Sequence, residues 1–303
     1  MVLINPNSST ATTAMMTAIA RRTLGPALPV RGVTVARGPR MLTDPEALRA
    51  AAPEVLAAGL RATAGGDCAA LLVAAFGDPG LTALRAATTG AGASGVYELA
   101  GASGASGASG ASGVHGLAGA SGVYGATGTP ASGIREVGTS ASGTSASGTS
   151  TSGTSTSGTP TSGTPTSGIP VVGIGEAALL EAAAGGTPFG IATTTPLLAD
   201  AIHARVNALG LADRYTGLRL TAGAPERLSA EPELLLDRLE RAVRACAERD
   251  GARAVVIGGG PLGEAAEALH ARCAVRVVAP IPAACRAITR LLTDRRTGGP
   301  AVR

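Results

Sequence analysis

The chain's 303 residues suffice for one large or two small domains. With two Phe, three Tyr and no Trp, its core has to be built from Ala, Val, Leu and Ile. All 25 basic residues are Arg and they are scattered, so the net charge of +4 forms no basic stripe. Without such a stripe or stacking aromatics a nucleic-acid partner is not expected, and without Lys a P-loop is excluded.

The predicted elements alternate. An apolar strand at 2–4 ends in Asn5-Pro6-Asn7-Ser8-Ser9, whose side chains can cap a helix at 10–23 closed by Gly25-Pro26. A strand at 33–36 stops at Gly38-Pro39, and Asp44-Pro45 opens a helix at 46–64. The run at 69–75 is an unbroken apolar strand that ends abruptly in Phe76-Gly77-Asp78-Pro79-Gly80, before a short helix at 81–87. From 88 to 167 the chain consists of Gly-Ala-Ser and Gly-Thr-Ser triplets with too little Pro for collagen, and it reads as a disordered low-complexity insertion.

The alternation then resumes, with strands at 169–173 and 189–193, helices at 176–184 and 197–209, and an extended segment at 218–220. A long helix at 231–248 leads to the strand 254–257, which ends in Gly258-Gly259-Gly260-Pro261. A helix at 263–270, a strand at 275–278 and a helix at 281–292 complete the chain. This pattern predicts an α/β fold of parallel sheets covered by helices.

Several site types find little support. Gly173-Ile174-Gly175-Glu176-Ala177-Ala178 fits a relaxed dinucleotide pattern, but the following strand ends in Thr193-Thr194-Thr195, with no acidic residue for a ribose. No cofactor is therefore expected. His115, His203 and His270 form no cluster, the four cysteines (Cys68, Cys246, Cys273, Cys285) lack metal-type spacing, and no G-x-S-x-G elbow is present. Each cysteine reads as a buried structural thiol, with Cys285 the one placed to approach a cleft. The opening Met-Val-Leu-Ile-Asn-Pro does not read as a signal peptide, and no apolar run is long enough for a membrane span, so a cytoplasmic protein is expected.

The loops Ala75–Asp78 and Gly258–Pro261 both lie at C-terminal ends of parallel strands, where open α/β sheets bind ligands. Their backbone amides can hold a carboxylate or a developing enolate. With Asn5, Ser8, Thr193 and Thr194 they predict one anion pocket made of Phe76, Gly77, Asp78, Gly258 and Gly260.

The chain resembles the aspartate/glutamate/hydantoin racemase superfamily, in particular its hydantoin racemase branch. The residues that carry the resemblance are Ile4-Asn-Pro-Asn-Ser-Ser9, Gly38-Pro39, Phe76-Gly-Asp-Pro-Gly-Leu81, Ile169-Pro-Val-Val-Gly-Ile-Gly-Glu-Ala177, Phe189-Gly-Ile-Ala-Thr-Thr194, Ala254–Leu262 and Pro280 with Ala283-Ala284. The resemblance implies two pseudo-symmetric Rossmann-like lobes with an active-site cleft between them. The first lobe would be 1–87 plus 279–303 and the second 168–278, with 88–167 inserted. It also implies a small carboxylate or hydantoin-like substrate, cofactor-independent racemisation of amino acids or derivatives, and an assembly that can include homo-oligomers. In this family two cysteines work from opposite faces of a Cα–H, one as base and one as acid. The matching positions here are Ala75 and Gly259. Three readings follow: a racemase, a lyase or isomerase of the same superfamily, or a catalytically inactive small-anion-binding protein.

Overall fold

The computed structural model describes residues 1–89 and 168–297. The low-complexity expectation for 90–167, and His115 with it, lies outside the described residues. In chain order the elements are β1 (Val2–Asn5), α1 (Thr10–Leu24), β2 (Arg31–Thr34), α2 (Pro45–Thr63), β3 (Leu71–Val73) and α3 (Leu81–Thr88). They continue with β4 (Val171–Gly173), α4 (Ile174–Ala182), β5 (Phe189–Thr193), α5 (Ala199–Ala208), β6 (Tyr215–Leu220), α6 (Pro225–Ala230) and α7 (Pro232–Glu248). The last are β7 (Ala254–Ile257), α8 (Gly263–Arg272), β8 (Arg276–Val278) and α9 (Pro280–Thr297).

Two four-stranded sheets form, ordered β2-β1-β3-β4 and β6-β5-β7-β8, with every pairing parallel. Both sheets thus repeat one order, in which the first strand has the second on one side and the third on the other. The short apolar strands alternate their side chains between two helix layers, as strands buried on both faces must. In the first sheet Leu3, Leu72 and Val172 pack beneath α1 and α9, while Ile4, Leu71 and Val73 pack beneath α2 and α3. In the second, Phe189, Ile191 and Val256 face α4 and α5, while Val255, Ile257 and Val277 face α7 and α8.

One boundary differs from the sequence-based expectation. β4 pairs with β3, Leu71 opposite Val171, so the strand after the insertion completes the first sheet and does not open the second lobe at 168. Its apolar run suits either sheet; what decides is that β3, α3 and β4 form one crossover unit with the insertion spliced in after α3. The splice points lie together, since a Cβ on Gly168 would sit 2.9 Å from the Thr88 carbonyl oxygen.

In such a sheet a crevice opens at the C-terminal ends of the strands where the order reverses. The reversals fall between β1 and β3 and between β5 and β7. The four loops leaving these strands therefore surround one region. Two close approaches join them. The Phe76 ring packs in the apolar core of the second lobe, and a Cβ on Gly260 would stand 2.9 Å from the Ala74 carbonyl oxygen. Gly260 is thus required by the contact between the tips.

Candidate functional site

A cleft of about 330 Å³ lies at these four loops. Asn7, Ala74–Gly77, Thr194, Thr195 and Gly258–Leu262 line one part of it. The rest is lined by helices α2, α4, α5, α6 and α7, the 196–198 turn and residues 41–42, with Leu48, Leu198, Ala201, Ile202, Arg205 and Ser229 among them. Ala75, Phe76, Gly77, Thr194, Gly258, Gly259 and Gly260 therefore meet in one cleft. Asn5, Ser8, Asp78 and Thr193 do not line it.

Each departure has a local cause. Asn5 is fully buried at the end of β1, and its Nδ2 donates to Asn7 Oδ1 (2.7 Å), the Ser9 carbonyl (3.1 Å) and Thr13 Oγ1 (2.9 Å). Its Oδ1 accepts from the Asn7 amide at 3.1 Å. Asn5 is saturated and shapes the turn. Asn7 is the residue that faces the cleft. Its Oδ1 is fixed by Asn5 and by the Ser9 amide at 3.0 Å, so Nδ2 is the remaining group, and among the described residues it has no acceptor. Ser8 is held by its own backbone, donating to the Pro39 carbonyl at 3.0 Å, while Ser9 Oγ caps α1 by accepting from the Thr12 amide.

Thr193 Oγ1 donates to the Gly258 carbonyl at 2.7 Å and so ties the tip of β5 to that of β7. One residue on, Thr194 lines the cleft, and its hydroxyl has no partner among the described residues. The Phe76 and Gly77 amides likewise donate to no described group. Asn7 Nδ2, the Thr194 hydroxyl and these two amides are donors without a charge, suited to a carboxylate or an amide carbonyl.

Asp78 faces away from the cleft. Its Oδ1 and Oδ2 accept from the Gly175 amide (2.9 Å) and the Glu176 amide (2.7 Å), capping the N-terminus of α4. A Cβ on Gly173 would collide with this carboxylate, and one on Gly175 with the Phe76 carbonyl. The Gly-x-Gly pattern thus lets the 75–78 loop dock on α4, which explains it without a dinucleotide. Burial pushes the Asp78 carboxyl up to about 7, against the pull of Arg205 and the two amides. Arg205 Nη2 reaches Glu176 at 2.7 Å and Asp78 at 3.4 Å, and Glu176 also holds Arg85 at 2.9 Å. Arg205 lines the cleft; its Nη2 is committed to this network, while its buried Nε has no partner among the described residues.

The cysteines lie elsewhere. Cys285 is fully buried between α1, α4 and α9, and burial pushes its thiol up to about 12, so its expected approach to the cleft does not occur. Cys246 lies behind β5, with its thiol likewise pushed up to about 12 by burial. Among the described residues lining the cleft, none is Cys, His, Asp, Glu or Tyr. Ala75 and Gly259 face the cleft from the two lobes. Gly259 has an extended backbone, φ 164°, where a Cβ would meet only the Leu262 side chain at 3.1 Å. No three metal-binding side chains cluster among the described residues, and no described helix is long and apolar enough to cross a membrane.

A family model described as Asp/Glu/Hydantoin racemase matches residues 1–103 and 164–288. Among solved structures, the chain is similar to allantoin racemase from Klebsiella pneumoniae, with 21% identity, a TM-score of 0.65, and coverage of 96% of this chain and 86% of that one. It is also similar to allantoin racemase from Pseudomonas fluorescens, with 19% identity, a TM-score of 0.63, and coverage of 98% and 91%. A glutamate racemase from Francisella tularensis in complex with D-glutamate aligns at 7% identity with a TM-score of 0.52, covering 100% and 84%. At these identities the likeness concerns the fold. No curated protein matches the chain in sequence.

Proposed function

The chain belongs to the Asp/Glu/hydantoin racemase family, and on that premise we propose that its cleft binds a small carboxylate- or amide-bearing molecule without racemising it by a two-thiol route. The carrying observation is the make-up of the cleft: uncharged donors on three of its loops, and no side chain able to take or give a proton near neutral pH among the described lining residues. Racemisation needs a base on one face of the reacting carbon and an acid on the other. Ala75 and Gly259, at the positions the family gives to its cysteines, carry neither. The donors remain, and they serve binding. They would also stabilise an enolate, which keeps a lyase or isomerase activity as the second reading.

The test is Asn7→Asp. The substitution preserves the acceptor used by Asn5 and the Ser9 amide but turns the group facing the cleft from donor to anion. Saturation-transfer NMR with acetate and with hydantoin should detect binding to the wild type, and the variant should weaken acetate by tenfold or more. Equal acetate binding by both proteins would refute this pocket.

A further inference from the structure

Arg205 joins the cleft to a buried ion cluster. It is the one charged side chain among the described residues that line the cleft. Its Nη2 meets two carboxylates, Glu176 on α4 at 2.7 Å and Asp78 in the loop after β3 at 3.4 Å. Glu176 is also gripped by Arg85 on α3, through Nη1 at 3.1 Å and Nη2 at 2.9 Å. These are the charged groups that face Asp78 from α3, α4 and α5, beside the Gly175 and Glu176 amides that it accepts from. Two guanidinium groups therefore balance two carboxylates. Arg205 Nε is buried without a partner among the described residues, so this cation is not saturated by the cluster.

A ligand carboxylate held by the Phe76 and Gly77 amides adds a third negative charge, one or two residues from Asp78 along the same loop. The cluster is then one positive charge short, and in a site shielded from water a proton restores the balance. Asp78 has the weaker hold on a cation, one guanidinium at 3.4 Å against two for Glu176, so the proton goes there. Resting on the binding reading above, we propose that carboxylate binding in the cleft is coupled to uptake of a proton by Asp78, with Arg205 as the link between the two. Asp78 does not touch the ligand; it sets the charge against which the ligand binds. The protonated form favours the anion, so affinity is highest at low pH and falls as pH rises through the Asp78 titration. Burial pushes that carboxyl up to about 7, which puts the response in the neutral range. By reciprocity, a bound anion makes Asp78 keep its proton to higher pH.

Acetate and acetamide differ in charge and hardly in shape. Both are titrated against the full chain by ligand-observed NMR from about pH 6 to 8.5, where acetate stays ionised. Acetate should bind about tenfold more weakly at the upper end, the size expected for one nearby charge at a partly solvated site, and acetamide equally throughout. Asp78→Asn should level the acetate profile. The described histidines, His203 and His270, are exposed and do not line the cleft, and this variant separates their titration from that of Asp78. A second measurement needs no variant: the carbon NMR signal of the Asp78 carboxyl in the wild type should titrate about one pH unit higher with saturating acetate. Acetate affinity that does not fall with pH, a fall shared by acetamide, a slope that persists in Asp78→Asn, or an Asp78 midpoint unmoved by acetate overturns the coupling and leaves the binding reading intact. Binding of neither molecule at any pH overturns both.

Discussion

At the residue scale, the proposed absence of two-thiol chemistry rests on Ala75 and Gly259, neither of which carries an ionisable group. They line the cleft from opposite lobes, and the extended backbone at Gly259 accepts a side chain at the cost of a few tenths of an ångström in Leu262. Ala75→Cys combined with Gly259→Cys should therefore fold. It should also gain Cα racemisation of 5-benzylhydantoin that exceeds the sum of the single variants, because each positioned group contributes about 10²–10⁴-fold only when its partner is present. Chiral chromatography reads this directly; activity equal to the singles would mean that the two positions do not face one substrate. The tips themselves were legible as apolar strands broken by Gly and Pro. Which side chain of Asn5-Pro6-Asn7-Ser8-Ser9 points into the cleft was not, because the strand pleat ends inside that motif and the turn re-aims every residue after it. Thr193 and Thr194 show the same limit: one residue of register separates a strut from a cleft-facing hydroxyl.

At the element scale, α4 is held by a carboxylate from the neighbouring loop. Asp78 adopts φ 46°, uncommon for a residue other than Gly, and places both oxygens on the amides that begin the helix. The pattern Gly173-Ile174-Gly175 looked like a cofactor turn because both uses need bare backbone at a helix start; only the docked loop distinguishes them. Since burial raises the Asp78 carboxyl from its ordinary 3.8 to about 7, the folded state holds its proton more tightly than the unfolded chain does. The stability this proton contributes is present below about pH 4 and is lost as pH rises through 7. Melting temperatures of wild type and Asp78→Asn, compared from pH 4 to 8, should show the wild type losing ground to the variant up to about pH 7 and level beyond it. A wild type that gains on the variant with rising pH would mean that Asp78 is held ionised.

At the scale of the whole molecule, the repeated strand order was legible as alternating strands and helices, because buried parallel strands are short apolar runs wherever they occur. The assignment of β4 to the first sheet was not, since its partner β3 lies on the far side of 90–167 in sequence. With Thr88 and Gly168 in contact, replacing 90–167 by a short Gly/Ser linker should leave both sheets intact. Each halving of a flexible loop gains only about 0.6 kcal/mol, so the melting temperature should stay level or rise slightly; loss of cooperative unfolding would assign 90–167 a part in the core. The cleft is lined by loops from both sheets and, among the described lining residues, lacks a proton carrier. Proton NMR of single-enantiomer 5-benzylhydantoin and of L-aspartate in D₂O at neutral pD, with and without the wild-type chain, measures this most directly, because exchange at Cα registers proton transfer on even one face. The Cα–H signals should decay no faster with the protein than without it; accelerated deuterium entry at Cα would contradict the absence of an acid or base in this cleft.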